Sequence, residues 1–145
     1  MRVLPRVAVV VVLIGVGLSA QTDQFFDKSA LSVQINGKTE FVDTFLRFDG
    51  DSFDVVAKKS KQTIKSYAYP QIKSVEYSYA KSPRWKTAIF VSPLFLFTSG
   101  KKHWLLTHGP DDFAMLRLDK NNYKMILATL ESKTGKKVET VGDEK

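Results

Sequence analysis

A single change in hydrophobic period, near residue 120, constrains the fold of this chain more than any other feature. Before it, short segments alternate between apolar and polar residues, as in residues 44–48, where Thr44, Leu46 and Phe48 share one face. After it, the apolar residues Tyr123, Ile126, Leu127 and Leu130 fall at positions i, i+3, i+4 and i+7 of one helical face. The sequence therefore predicts a mainly β domain that ends in one amphipathic α-helix.

The alternating part of the chain divides into seven predicted strands separated by turn residues. The predicted strands are residues 30–35, 44–48, 53–57, 62–69, 74–79, 103–108 and 113–118. The turns include Asp49-Gly50-Asp51 and the Gly-Pro-Asp-Asp run at residues 109–112. Strands that recur at intervals of about ten residues favour an antiparallel sandwich or barrel over βαβ units.

The predicted helix has signals at both ends. Asp119 is a suitable N-cap residue, and Gly135 stands where a left-handed C-cap residue belongs. Lysines 133, 136 and 137 lie near its carboxyl end, where cations interact favourably with the helix dipole. A barrel that is open at one end exposes its interior, and a helix with one apolar face is suited to plug it.

The first twenty residues have the pattern of a secretory signal peptide. Arg2 and Arg6 precede an unbroken apolar run at residues 7–18, and the sequence predicts cleavage before Gln21. The run is shorter than the roughly 20 apolar residues that a membrane-spanning helix needs, although a retained N-terminal anchor is an alternative. We therefore expect an exported protein that is periplasmic or extracellular and peripheral to a membrane.

The remaining chain has the length of one ordinary domain. We expect a linker at residues 21–29, a domain at residues 30–138 and a disordered tail at residues 139–145. The chain has no cysteine, which excludes disulfides, thiolate metal sites and cysteine nucleophiles. Without Arg2 and Arg6, the 22 basic residues fall to 20 against 15 acidic ones, which leaves a net charge of +5. This mild positive charge favours anionic surfaces and is equally compatible with simple solubility.

Seven strands followed by a terminal helix resemble the pleckstrin-homology-like (PH-like) superfold, in particular a bacterial family of small exported PH-like proteins. The run YAYPQIKSVEYS at residues 67–78 is similar to the link into the fifth strand of such domains. The runs GKKHWL at residues 100–105 and FAMLRLDKNNY at residues 113–123 are similar to the sixth strand, the seventh strand and the start of the helix. The resemblance implies a binding or scaffolding module and does not specify a ligand. Phosphoinositide binding is not implied, because the loop between the first two predicted strands has only Lys38 as a basic residue.

The segment from Thr87 to Thr98 does not fit the alternating pattern. Eight of its twelve residues are apolar, they do not alternate, and Pro93 disfavours a continuous helix or central strand. Three interpretations remain open: a buried strand or strand pair, an exposed hairpin bent at Ser92-Pro93 that enters a bilayer surface or a partner's groove, and a self-association surface. We favour the exposed hairpin, because apolar residues on both faces would need more cover than one small barrel interior provides.

This interpretation predicts a membrane- or partner-binding site in which apolar residues insert and flanking basic and aromatic residues contact the anionic surface. The predicted partner is an anionic membrane surface or a protein, with homo-oligomerisation possible. The predicted site residues are Arg84, Trp85, Lys86, Phe90, Leu94, Phe95, Phe97, Lys101, Lys102 and Trp104.

Other chemistry finds little support in the sequence. His103 and His108 should point to opposite faces of one strand and cannot share a metal ion, and Asp49, Asp51 and Asp54 lack the later glycine and glutamate of a calcium loop. No catalytic motif occurs, so we expect no enzyme activity, no cofactor, no metal and no nucleic-acid partner. The lysines at 58, 59, 61 and 65 are interpreted as a solvated hairpin tip. A hydrolase with a dispersed site is a weaker alternative, which would need an open polar pocket that joins one histidine to a carboxylate.

Overall fold

The computed structural model describes residues 23–81, residue 83 and residues 100–141. The predicted signal peptide and the apolar segment at residues 87–98 lie outside the described residues.

The described chain consists of short strands and one α-helix, as the change of period predicts. The elements are β1 (Gln24–Ile35), β2 (Lys38–Phe48), β3 (Ser52–Ala57), β4 (Thr63–Ala68), a 3-10 turn (Tyr69–Gln71), β5 (Ser74–Ala80), β6 (Lys102–His108), β7 (Phe113–Leu118), α1 (Tyr123–Thr134) and β8 (Glu139–Thr140). All seven predicted strands are present, and the fold class is confirmed as a mainly β, PH-like sandwich with a C-terminal helix.

The strands form one sheet in the order β4-β3-β2-β1-β7-β6-β5-β8, which does not close into a complete barrel. Every pairing is antiparallel except that of β8, which runs parallel to β5. The two halves of the sheet meet in a short β1–β7 pairing, where Ala30 faces Arg117 and Leu31 faces Leu116. A bulge interrupts β1 between Phe26 and Ser29. Bulges bend the strand that carries them, and this one redirects the first part of β1.

Three boundaries differ from the sequence-based expectation by several residues, and one of them is the start of β2, at Lys38 rather than at residue 44. β1 begins at Gln24, so it includes most of the predicted linker, because Phe26 is buried and pairs with Leu46 of β2. β8 lies in the predicted tail, where Glu139 and Thr140 pair with β5 and the Val141 N–H donates to the Tyr77 carbonyl at 2.8 Å.

The main core lies between the sheet and α1. Its fully buried members include Leu31, Leu46, Phe48, Phe53, Leu105, Leu116, Ile126 and Leu130. The predicted helical face is confirmed, since Ile126 and Leu130 are fully buried while Tyr123 and Leu127 pack partly buried against the same cluster. Burial of large apolar side chains stabilises such a core by about 1.5–3 kcal/mol for each. Among the described residues, no helix has the length and apolar character needed to cross a membrane.

The helix ends confirm one predicted cap and correct the other. Gly135 adopts the left-handed conformation (φ 72°), and its N–H donates to the Glu131 carbonyl at 2.9 Å. The N-cap is Asn122 rather than Asp119. Asp119 instead begins the turn that precedes the helix, because its carbonyl accepts the N–H of Tyr123 at 3.0 Å and its carboxylate accepts the N–H of Asn121 at 3.0 Å.

Candidate functional site

Three of the predicted site residues, Lys101, Lys102 and Trp104, lie in the part of the chain that the structure describes. The other seven, Arg84, Trp85, Lys86, Phe90, Leu94, Phe95 and Phe97, lie outside the described residues. The described geometry therefore concerns the base of the predicted hairpin and the surface beside it.

Trp104 does not occupy the surface position that the sequence analysis gave it. It is 0% exposed and belongs to a second apolar cluster with Leu106 and Met115, on the face of the sheet opposite to Leu105. The Phe41 ring lies 6.0 Å from it, and its indole N–H donates to the Ala80 carbonyl at 2.8 Å. Because both the ring and its N–H are satisfied internally, Trp104 stabilises the junction of β5 and β6 and is not an interfacial anchor.

Lys101 and Lys102 line a cavity of about 370 Å³ at the start of β6. We call this the lysine cavity. Its lining residues are Tyr79, Lys101, Lys102, His103, Leu118, Asp119 and Lys120. The Lys101 ammonium lies 5.5 Å from the centroid of the Tyr79 ring, within the range of a cation–π contact. Lys120 was missed by the sequence analysis, because a lysine just before a predicted helix resembles any polar surface residue.

One wall of the lysine cavity is an aromatic stack centred on His103. Its imidazole lies 4.6 Å from the Tyr79 ring and 3.8 Å from the Tyr123 ring, measured between centroids. The Tyr77 hydroxyl and His103 Nδ1 are hydrogen-bonded at 2.6 Å. This arrangement fixes the imidazole plane and joins the wall of the cavity to the first turn of α1.

A second cavity, of about 340 Å³, adjoins the lysine cavity. The two cavities share Lys102, Leu118 and Asp119. The second cavity also brings in basic side chains from the β1 bulge, the β3–β4 hairpin and β7, namely Lys28, Lys58 and Arg117. We call the combined set of cations the lysine surface: Lys28, Lys58, Lys101, Lys102, Arg117 and Lys120.

The position of the second cavity depends on the β1 bulge. Lys28 has a positive φ of 62°, and the side-chain amide of Asn122 donates to the Asp27 carbonyl at 2.7 Å, which ties the bulge to the start of α1. The Asp27 carboxylate accepts the Lys28 N–H at 2.7 Å and lies 3.4 Å from the Lys58 ammonium. The Lys28 N–H, assisted by Lys58, holds the pKa of Asp27 below its ordinary value. Asp27 therefore stays ionised as part of the surface.

The lysine surface also contains carboxylates, but fewer of them. Asp27, Asp43 and Asp119 line the same two cavities as the six cations. The surface is therefore net positive even when each carboxylate is ionised, and a concave positive surface attracts anions.

The basic cluster at residues 58–65 is not a uniform solvated tip. Lys58 joins the lysine surface, whereas Lys65 lies 2.7 Å from Asp112 in an ion pair on the other side of the domain. Lys61 lies 5.4 Å from the centroid of the Phe45 ring, and Lys59 is exposed. The prediction of a solvated tip is therefore confirmed for Lys58 and Lys59, which are exposed, and is wrong for Lys65, which is half-buried in its ion pair.

The two histidines lie on opposite faces of β6, as predicted. His108 Nε2 lies 3.3 Å from Oε2 of Glu76, whose side chain is buried. This pair does join an imidazole to a carboxylate, but neither residue lines the two cavities described above. Within the described ranges, no cluster of three or more histidine or carboxylate side chains forms a potential metal site.

The aspartates at residues 49–54 form a turn, as predicted. The Asp49 carboxylate accepts the N–H groups of Asp51 at 2.7 Å and of Ser52 at 2.6 Å. Asp54 pairs with Arg47 at 2.5 Å. The carboxylates of Asp49 and Asp54 are thus occupied by hydrogen bonds within the protein.

The fold and the site together define a small PH-like β-sandwich with a positively charged concave surface. No protein-family model matches the chain, and no curated protein sequence matches it. Similar solved structures include "Structure of the Spt16D Pob3N heterodimer" (11% identity, TM-score 0.48), of which the chain covers 55%, with 85% of this chain aligned. This chain therefore spans about half the length of that protein chain.

Two further structures are similar. One is the C-terminal domain of an unknown protein from Leishmania infantum (16% identity, TM-score 0.42), where 86% of this chain aligns with 99% of the other. The other is the hSac2 domain of the human phosphoinositide phosphatase Sac2 (12% identity, TM-score 0.46), where 92% of this chain aligns with 89% of the other. At these identities and TM-scores, the similarities carry no conclusion about what this protein binds.

Proposed function

We propose that this protein is an exported, non-enzymatic binding module that attaches peripherally to an anionic membrane surface. The observation that carries the proposal is the lysine surface. Cations from the β1 bulge, the β3–β4 hairpin, the start of β6, β7 and the β7–α1 turn gather in two adjoining cavities. A cluster drawn from five places in the chain is a product of the fold and not of a local run of lysines.

The position of this surface supports the proposal. Ala80 and Lys102 are partners in the β5–β6 ladder, so the chain leaves β5 and returns to β6 beside the lysine cavity. The connecting residues include the apolar segment at 87–98. Apolar residues flanked by cations suit a surface that is apolar below anionic headgroups, and each basic residue near such a surface contributes about 1 kcal/mol.

Co-sedimentation with lipid vesicles tests the proposal. The wild-type protein is expected to pellet with phosphatidylglycerol-containing vesicles at low salt, to be released as salt rises, and to stay in the supernatant with neutral phosphatidylcholine vesicles. The double variant Lys101→Glu/Lys102→Glu should weaken pelleting by more than tenfold, because it replaces two attractive charges with repulsive ones. Phe95→Asp should weaken it as well, by placing a charge in the apolar segment.

The matched control is Lys73→Glu/Lys137→Glu. It makes the same change in net charge at exposed lysines that line neither cavity, and it should reduce pelleting only slightly. If the wild type stays in the supernatant with anionic vesicles at low salt while it elutes as a dimer, the membrane proposal is wrong and self-association replaces it.

A further inference from the structure

We infer that the lysine cavity is a binding site for a phosphate monoester group. The group can be carried by a membrane lipid or by a small soluble molecule. The lipid source rests on the proposed function, whereas the site itself does not.

The charge in the lysine cavity matches that of a phosphate monoester. Lys101, Lys102 and Lys120 contribute three positive charges, and Asp119 contributes one negative charge. The sum, +2, is opposite in sign and close in size to the charge of about −1.5 to −2 that a phosphate monoester has at pH 7. A phosphodiester or a carboxylate has only a single charge and would leave the cavity positive.

The donors also match in kind. A phosphate monoester presents three strong acceptor oxygens, and three lysines, whose ammonium groups are hydrogen-bond donors, line the cavity. Two of them come from the start of β6 and the third from the β7–α1 turn, so they approach from two parts of the chain. The cavity volume of about 370 Å³ is within the range of small-molecule sites and leaves space for the carrier of the phosphate.

The walls of the cavity are held before any ligand arrives. His103 is stacked between Tyr79 and Tyr123, and its Nδ1 is hydrogen-bonded to Tyr77. Asp119 is held by the N–H groups of Asn121 and Tyr123, which bond to its carboxylate and carbonyl. Ordering these groups beforehand reduces the entropic cost of binding. The Tyr123 N–H is already bonded to the Asp119 carbonyl, and the inferred binding groups are the three lysines.

The first arm of the test compares two anionic lipids at equal surface charge. Vesicles of phosphatidylcholine with phosphatidic acid, a phosphate monoester, are matched in electrophoretic mobility to vesicles with phosphatidylglycerol, a phosphodiester. The wild-type protein should bind the phosphatidic acid vesicles more tightly, on the order of tenfold, because hydrogen bonds to charged groups are strong. Lys120→Gln should abolish this preference and leave most of the phosphatidylglycerol binding intact.

The control for this arm is Lys124→Gln, which removes an exposed lysine on the neighbouring turn of α1 that does not line the cavity. It should keep the preference for phosphatidic acid. Lys120 is exposed, so its variant should fold, and an unchanged circular dichroism spectrum checks this.

The second arm uses glycerol 3-phosphate in solution and follows backbone amide shifts by NMR. Saturable shifts at residues 101–103 and 118–120 that vanish in Lys120→Gln are expected for a phosphate monoester site. Shifts without any vesicle binding would overturn the membrane proposal and leave a soluble phosphate ester as the ligand. Equal binding to both vesicle types, together with no shifts, would overturn the inferred site and leave the membrane proposal standing.

Discussion

Two regions of this domain differ in how their charged side chains are arranged. At the turn between β6 and β7, which we call the Gly109 corner, polar side chains are paired: Lys65 with Asp112 at 2.7 Å in an ion pair and, close by on β6, His108 Nε2 with the Glu76 carboxylate at 3.3 Å. At the lysine surface, cations outnumber carboxylates. Like charges held close together oppose folding, so the excess of cations at this surface is unfavourable for stability. The contrast assigns a stabilising role to the Gly109 corner and is what the proposed binding role of the lysine surface would require.

The two regions also differ in packing, which is closer at the Gly109 corner than at Gly100, beside the lysine cavity. Gly109 is buried, and a Cβ atom there would lie 2.4 Å from Cε1 of Tyr67. Burial, with the Asp112 carboxylate nearby, raises the pKa of Tyr67. Gly100, at the other end of β6, has no atom of the described structure within 4 Å of such a Cβ. The Gly109 corner is therefore closely packed, and the approach to the lysine cavity is spacious.

The largest expected effect comes from filling the Gly109 corner. Gly109→Ala should lower the free energy of unfolding by about 1–3 kcal/mol, the usual cost of overpacking. Gly100→Ala, the same change beside the lysine cavity, should alter it by less than about 0.5 kcal/mol. Urea denaturation measures both. Equal losses of stability in the two variants would contradict the inference that the Gly109 corner is the more closely packed region.

A smaller effect is expected at the β2–β3 turn, which contacts the Gly109 side of the domain through the Tyr69 hydroxyl, a donor to the Asp49 carbonyl at 2.5 Å. Burial, together with Asp49, raises the pKa of Tyr69 to about 12, so its hydroxyl stays protonated and can donate. Asp49→Ala should lower the free energy of unfolding by about 1 kcal/mol at pH 7, because two backbone N–H groups lose their acceptor. Asp51→Ala, in the same turn, is the control and should have little effect.

The effect of Asp49 should also depend on pH. Partial burial alone would raise the pKa of its carboxyl, but the N–H groups of Asp51 and Ser52 hold that pKa below the ordinary value of 3.8. The folded-state pKa is thus the lower one, so the stabilisation is fully present above about pH 4 and is lost as pH falls through the folded pKa. The difference between wild type and Asp49→Ala should shrink in acid. A difference that grew in acid would contradict this assignment.

The smallest effect compares two single lysines. Lys65→Gln breaks the ion pair with Asp112 and should cost about 0.2–1 kcal/mol. Lys120→Gln in the lysine cavity should leave the free energy of unfolding within about 0.5 kcal/mol of wild type, although it should abolish the phosphate preference. Thermal unfolding at two salt concentrations measures both, and a loss of stability in Lys120→Gln larger than in Lys65→Gln would contradict the division between the regions.

Much of the fold could be predicted because burial leaves a periodic signal in the sequence. The seven strands, the helical face of Ile126 and Leu130, and the Gly135 cap all follow from local patterns. The start of β1 could not, because residues 24–29 are mostly polar or exposed and do not alternate, and only Phe26 and Ser29 among them are buried against β2. β8 could not either, since its two residues have no period and pair with a strand far away in the sequence.

The site was predictable only where its residues adjoin in sequence. Lys101 and Lys102 flank an unusual apolar run and were therefore identified. Lys28, Lys58 and Lys120 reach the same surface through the β1 bulge, a hairpin and the β7–α1 turn, which no local pattern reports. Trp104 was misplaced because an aromatic residue beside lysines is typical of a membrane interface, whereas the alternation of β6 turns its ring into a second apolar cluster.

The short strand β8 affects the tendency of the domain to associate through the edge of its sheet. β5 would otherwise end the sheet with a row of open backbone groups, which are a template for pairing with another molecule. The parallel pairing of Glu139 and Thr140 covers the middle of that row, and the Val141 N–H extends it. Residues 139–141 therefore leave fewer backbone groups of β5 open to intermolecular strand pairing, and so reduce the tendency of the domain to aggregate through this edge.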